Sequence, residues 1–170
     1  IIIPNGVGNI VEENISISKA DWDAHETSWD FQINPLLQNY SEIYDSVEIF
    51  KDSREADIEI LFPESVRCDA NLTERIESVK LDSCTIRSRY IAYRKYWTNQ
   101  FKQLWRNEEE INRKFINIYE LDDELDSQVP YSEITILQQG EVTPDADDVD
   151  GVVLCWHSDV VMKQLISYAV

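Results

Sequence analysis

The chain has 170 residues, 43 % of them hydrophobic and 11 % aromatic, which supports one domain or two small subdomains and excludes a disordered tail. No apolar run exceeds the five residues Val152 to Trp156, so a membrane-spanning helix is excluded, and Ile1 to Pro4 is too short for a secretory leader. The chain carries 33 acids against 15 bases, a net charge of -18, which opposes non-specific nucleic-acid binding because phosphates repel an acidic surface.

The expected state is therefore a soluble, cytoplasmic protein with no membrane partner. The chain starts at Ile1, has Met162 as its only methionine, and ends at Ser167 to Val170 without a terminating Gly or Pro; it reads as a piece of a longer protein. Cys68, Cys84 and Cys155 form no C-x-x-C pair, so reduced structural thiols are expected.

The charge is segregated. Residues 1–86 hold 18 acids and 6 bases, residues 87–114 hold 3 and 8, and residues 120–150 hold 11 and none. One basic segment lies between two acidic ones.

Residues 1–35 read as an entry segment of loop and short strand, since Ile10, Ile15 and Ile17 alternate weakly and Asn34-Pro35 blocks continuation. Trp22 and Trp29 are expected to anchor this segment to the core. Residues 36–85 form a variable segment: a short helix over 41–50, a short strand over 57–62, and a helix over 71–81 burying Leu72, Ile76 and Val79.

The strongest periodicity runs from Thr85 to Leu125. At about 100° per residue, Tyr90, Tyr93, Trp97, Phe101, Leu104, Ile111, Phe115 and Ile118 share one sector, and Arg87, Arg94, Lys95, Lys102, Arg106 and Arg113 share nearly the opposite one. One long amphipathic helix with an apolar and a basic stripe follows, interrupted by Glu108 at the edge of the apolar side. A stripe of that length needs a partner helix, and residues 71–81 or 36–50 are the candidates. Beyond Leu125, Glu133 to Gln138 alternates as a strand, residues 140–151 read as an acidic loop, Val152 to Trp156 as a buried strand, and Ser158 as the cap of a last helix. The fold class is mainly α: a long helix in a hairpin or small bundle, with short strands in the N-terminal and C-terminal segments.

Candidate chemistry is sparse. Cys155-x-His157 lacks a second ligand pair for zinc, and Asp145 to Asp150 fails the calcium-loop pattern at its fifth, sixth and twelfth positions. Asn5-Gly6-Val7-Gly8 has no phosphate-loop lysine. No catalytic, cofactor-binding or metal residue is assigned. The basic stripe reads in two ways: as contacts along a DNA backbone, or as cations paired with neighbouring carboxylates and solvent.

Three stretches, Ala20 to Phe31, Asn107 to Leu125 and Met162 to Val170, together 40 residues, resemble successive parts of the large adenine-specific DNA methyltransferases of BREX phage-defence systems and of related type IIG restriction-modification enzymes. The resemblance implies a fragment C-terminal to the catalytic domain: residues 86–125 as a helical spacer and 126–170 as the start of a target-recognition region. It further implies that S-adenosylmethionine binds elsewhere in the parent and not in this fragment. The implied partners are double-stranded DNA, in the context of the parent, and other defence-system proteins. In that setting Arg87, Arg94, Lys95, Lys102, Arg106 and Arg113 are the candidate DNA-backbone contacts. Two alternatives stand beside this reading: an acidic DNA-mimic inhibitor and a helical protein-interaction module.

Overall fold

A computed structural model of the chain describes residues 6–38, 83–145 and 153–169. The elements expected at 41–50, 57–62 and 71–81 lie outside the described residues. So do most of both candidate partners of the long helix, and the acidic loop at 146–150.

The fold is mainly helical, with one two-stranded antiparallel sheet near the C-terminus. Helix α1 spans Val7–Asp23, α2 spans Ser83–Tyr119 and α3 spans Ser158–Tyr168. Strand β1 (Val142–Asp145) pairs with β2 (Val153–Trp156), Thr143 lying opposite Cys155. No described helix is long and apolar enough to cross a membrane.

The long helix is present as the periodicity predicts, 37 residues or about 55 Å. Its first half is the centre of the core: Ile86, Tyr90, Tyr93, Trp97, Phe101 and Leu104 are all buried, with Ile17, Leu36, Ile134, Ile136, Leu137, Leu154, Val161, Met162 and Leu165 packed around them. In its second half Ile111, Phe115 and Ile118 are only half-buried. The helix ends at Tyr119 rather than Leu125. Glu120 turns left-handed (φ 54°) and the Leu121 N–H reaches back to the Ile116 carbonyl at 3.0 Å, a closing bond that normally uses glycine and leaves no obvious stop signal in the sequence.

The entry segment corrects the expected strand. Residues 7–23 are helical because the inward stripe is Val7, Ile10, Asn14, Ile17 and Asp21, spaced three and four apart. Two of those five positions are polar, so the apolar pattern conceals the period. Trp22 and Trp29 are exposed instead of anchoring the segment; Ala24, His25 and Ser28 are buried in their place. A 3-10 turn, Pro35–Leu37, follows, with Asn34 Oδ1 accepting the Leu36 N–H at 3.0 Å.

The partner of α2 among the described residues is α1. Asn107, buried on α2, donates to Glu13 Oε2 and Asn14 Oδ1, both at 2.8 Å, and accepts from Gln103 at 2.9 Å. Arg89, two turns from the start of α2, donates to the Leu36 carbonyl at 3.3 Å. The entry segment therefore runs back along α2, its register fixed by a satisfied polar seam.

Three further expectations change. Glu133 to Gln138 is not a strand: a 3-10 turn over Tyr131–Glu133 leads into a left-handed Leu137 (φ 58°), and Ile134 and Ile136 are buried by the turn. Strand β1 occupies the start of the expected acidic loop. Ser158 does not cap α3, where His157 is the N-cap without a side-chain bond; the Ser158 hydroxyl is hydrogen-bonded to Tyr90. The strand expected at 152–156 is present as β2, and α3 buries Val161, Met162 and Leu165.

Phe101→Ala removes a ring from the fully buried half of α2 and is expected to cost about 3–5 kcal/mol. Ile118→Ala, in the half-buried half, is expected to cost about 1 kcal/mol. Chemical denaturation of both variants checks the asymmetry.

Candidate functional site

The six stripe cations stand on one helix, so their spacing is fixed by α2. Arg94, Lys95, Arg106 and Arg113 are exposed, and Arg87 and Lys102 are half-buried. Their surroundings differ. Arg94 lies over the Tyr90 ring at 5.7 Å and the Trp156 ring at 5.9 Å, so part of its charge is turned onto the protein's own aromatic surface. Arg113 is ion-paired with Glu110, which also binds Lys114 at 3.0 Å. A shallow groove of about 270 Å³ beside Ile91, Arg94, Lys95, Thr98 and Asn99 collects two of the cations with two polar side chains.

A second polar arrangement has no counterpart in the sequence pattern. His25, one residue past the C-cap of α1, places Nε2 2.7 Å from Glu141 Oε1 and Nδ1 2.8 Å from the Asp21 carbonyl. Gln164 of α3 donates to the same Glu141 oxygen at 2.8 Å. The Glu141 carbonyl accepts the His157 N–H at 2.8 Å, just before α3 begins. Glu141 is completely buried and His25 is 9 % exposed. Asp21 completes the cluster: its Oδ1 accepts the N–H of Leu137 at 3.1 Å, holding that residue in its left-handed conformation.

The protonation state follows from the partners. A backbone carbonyl only accepts, so Nδ1 must donate to Asp21, and an ionised Glu141 requires Nε2 to donate as well. Burial pulls the His25 imidazole toward its neutral form, but the hydrogen bond and charge of Glu141, with Asp21, outweigh it and hold it above its ordinary value. For Glu141, burial pushes upward, and the bonds from His25 and Gln164 bring it below the ordinary carboxylate value. Asp21 is pushed up, chiefly by burial. The pair is an imidazolium–carboxylate ion pair.

Its chemistry is structural. A cavity of about 370 Å³ lies beside it, lined among others by His25, Phe31, Asn34, Lys163, Gln164 and Ser167. Both imidazole nitrogens are already committed, which leaves no lone pair to take a proton from a molecule in that cavity. His157 is engaged with Thr143 Oγ1 at 2.8 Å and Cys155 is exposed; among the described residues no three His, Cys, Asp or Glu side chains converge as a metal site.

The polar cluster was invisible in the sequence because its members lie 116 residues apart, beyond any spacing rule. A weak signal existed: His25 sits among acids in the stretch Ala20 to Phe31, where an exposed histidine would have no reason to interrupt the pattern.

The chain is similar to adenine-specific methyltransferases. It is 26 % identical over 130 residues to the adenine-specific methyltransferase PglX of Lacticaseibacillus casei (strain Zhang), a match covering 76 % of this chain and 8 % of that protein. It is 30 % identical over 82 residues to the adenine-specific methyltransferase BrxX of Escherichia coli O9:H4 (strain HS), covering 46 % and 6 % respectively. The chain thus spans under a tenth of the length of either relative. No family model matches it, and no solved structure matches it.

Replacing Glu141 with Ala leaves a buried imidazolium without its counter-charge, and the expected loss is about 3–5 kcal/mol. The pH dependence has a definite sign. With His25 raised, its contribution is whole below about pH 6.5 and is lost as pH rises through the folded value. With Glu141 lowered, its contribution is present above about pH 4.5 and is lost as pH falls through the folded value. The stability difference between the wild type and Glu141→Gln, measured by urea denaturation across pH, should be greatest between those limits.

Proposed function

We propose that this chain is the non-catalytic spacer and target-recognition portion of a cytoplasmic, S-adenosylmethionine-dependent, site-specific DNA N6-adenine methyltransferase of phage defence or restriction-modification. The observation that carries this reading is the similarity to PglX. A match covering 76 % of the chain cannot avoid its centre, so all of α2 falls within it.

The geometry supports a spacer. An enzyme that methylates an adenine must extrude the base into a pocket, while other parts of the protein hold the surrounding duplex. The distance between those parts has to be fixed. Helix α2, at about 55 Å, is about one and a half turns of duplex long. It is stiffened on one side by α1 and, at its first half, by the hairpin and α3. Residues 126–170 would then begin the target-recognition region, and the cations of α2, with Arg94, Lys95, Lys102 and Arg106 foremost, would lie along a DNA backbone without reading bases. Other defence-system proteins are the remaining expected partners.

The test uses the full-length parent. Arg94→Glu, Lys95→Glu and Lys102→Glu together should weaken duplex binding about tenfold or more at low salt. The slope of log affinity against log salt should fall by about one for each cation withdrawn from a phosphate. Methyl transfer to saturating DNA should persist. Unchanged affinity would remove the DNA-backbone role, and a parent that transfers no methyl group to adenine would remove the whole reading.

A further inference from the structure

Trp105 and Tyr131 pack against each other at the side of a groove between the middle of α2 and residues 128–132. Its volume is about 750 Å³, and its walls include Glu109, Val129, Pro130 and Thr143. The two rings meet edge to face at 5.1 Å. Their placement is fixed: Trp105 Nε1 donates to the Val129 carbonyl at 2.9 Å, and the Val129 N–H donates back to Glu109 Oε1 at 3.3 Å. The groove is built before anything enters it.

The charged side chain that lines it is Glu109. Glu108 and Glu133 lie close enough to repel; burial first, then the charge of Glu133, raises the Glu108 carboxyl above its ordinary value. Among the described residues, no Lys or Arg forms an ion pair with Glu108, Glu109 or Glu133, and none lies over either ring. Two other aromatic rings at α2 provide the contrast. Tyr90 and Trp156 are covered by a guanidinium of the chain itself, that of Arg94.

We propose that the Trp105–Tyr131 groove docks an arginine-bearing, basic segment of a partner protein. Two aromatic rings beside carboxylates suit a planar guanidinium, which stacks on the rings while its N–H groups meet the acids. Nucleic acid is disfavoured, since its phosphates would meet the acidic strip. A wholly apolar peptide is disfavoured as well, because it would strip water from Glu109 and give nothing in return.

The test is calorimetric titration of the 170-residue chain, at low ionic strength, with a Gly/Ser-spaced peptide carrying two arginines. One saturable site is expected. Glu108→Gln with Glu109→Gln should weaken it about tenfold; the new amide at 109 still accepts the Val129 N–H, so the walls stay in place. Tyr131→Ala should weaken it to a similar extent, and a lysine version of the peptide should bind several-fold less tightly. Neutralising Asp122, Asp123 and Glu124, which do not line the groove, should change affinity less than about twofold. Equal losses from the groove and the remote acids would reduce the attraction to diffuse charge and overturn the proposal. So would unchanged binding in the Glu108/Glu109 variant, or growth to a dimer in light scattering that the peptide does not reverse, which would assign the groove to a second copy of the chain.

Discussion

One buried ion pair holds the fold together. His25 lies just past the end of α1 and Glu141 just before β1, so their bond at 2.7 Å joins segments 116 residues apart. The same carboxylate holds α3 through Gln164, and the Glu141 carbonyl holds the chain at His157, where α3 starts. A charge sealed from water needs partners: Glu141 Oε1 receives both the imidazolium and the Gln164 amide, while Oε2 is buried with no hydrogen-bond partner. Removing either member would leave the other uncompensated in the interior.

Around that centre α2 works as two different half-helices. The first half lies under α1, the 134–137 turn, β2 and α3, with Phe101 and Leu104 almost wholly hidden. The second half keeps its aromatic positions half-covered, and Phe115 stacks on an exposed Tyr119. Between them Asn107, satisfied by Glu13 and Asn14, sets the register of α1 on α2. A helix packed at one end and more open at the other is suited to join two bodies of a larger enzyme. That is the mechanical role proposed for it, with basic side chains on one flank and an acidic, aromatic groove on another.

The sequence made α2 legible because its signal is local. Eight apolar residues in one sector and six cations opposite them need no knowledge of the rest of the chain. It made the mainly α class legible for the same reason, together with β2 and α3. It hid α1, because Asn14 and Asp21 occupy inward positions and are made acceptable only by partners far along the chain: Asn107 and the Leu137 N–H. It misplaced Trp22 and Trp29, whose size suggested anchors and which lie on the outer surface. Ile134 and Ile136 alternate like a strand, yet their burial comes from a turn held by a left-handed Leu137. The common cause is long-range polar pairing, which carries no period. The basic stripe shows the reverse limit: the pattern places its residues on one face, but only the fold reveals that Arg94 lies over Tyr90 and Trp156 and that Arg113 pairs with Glu110.

The protonation of His25 tests this picture at its centre. Nitrogen-15 NMR of the imidazole ring at neutral pH should show both nitrogens carrying protons, with titration to the neutral ring only above the range of an ordinary histidine. A ring with one bare nitrogen at neutral pH would contradict the ion pair, and the fold would then need another explanation for a carboxylate sealed at its core.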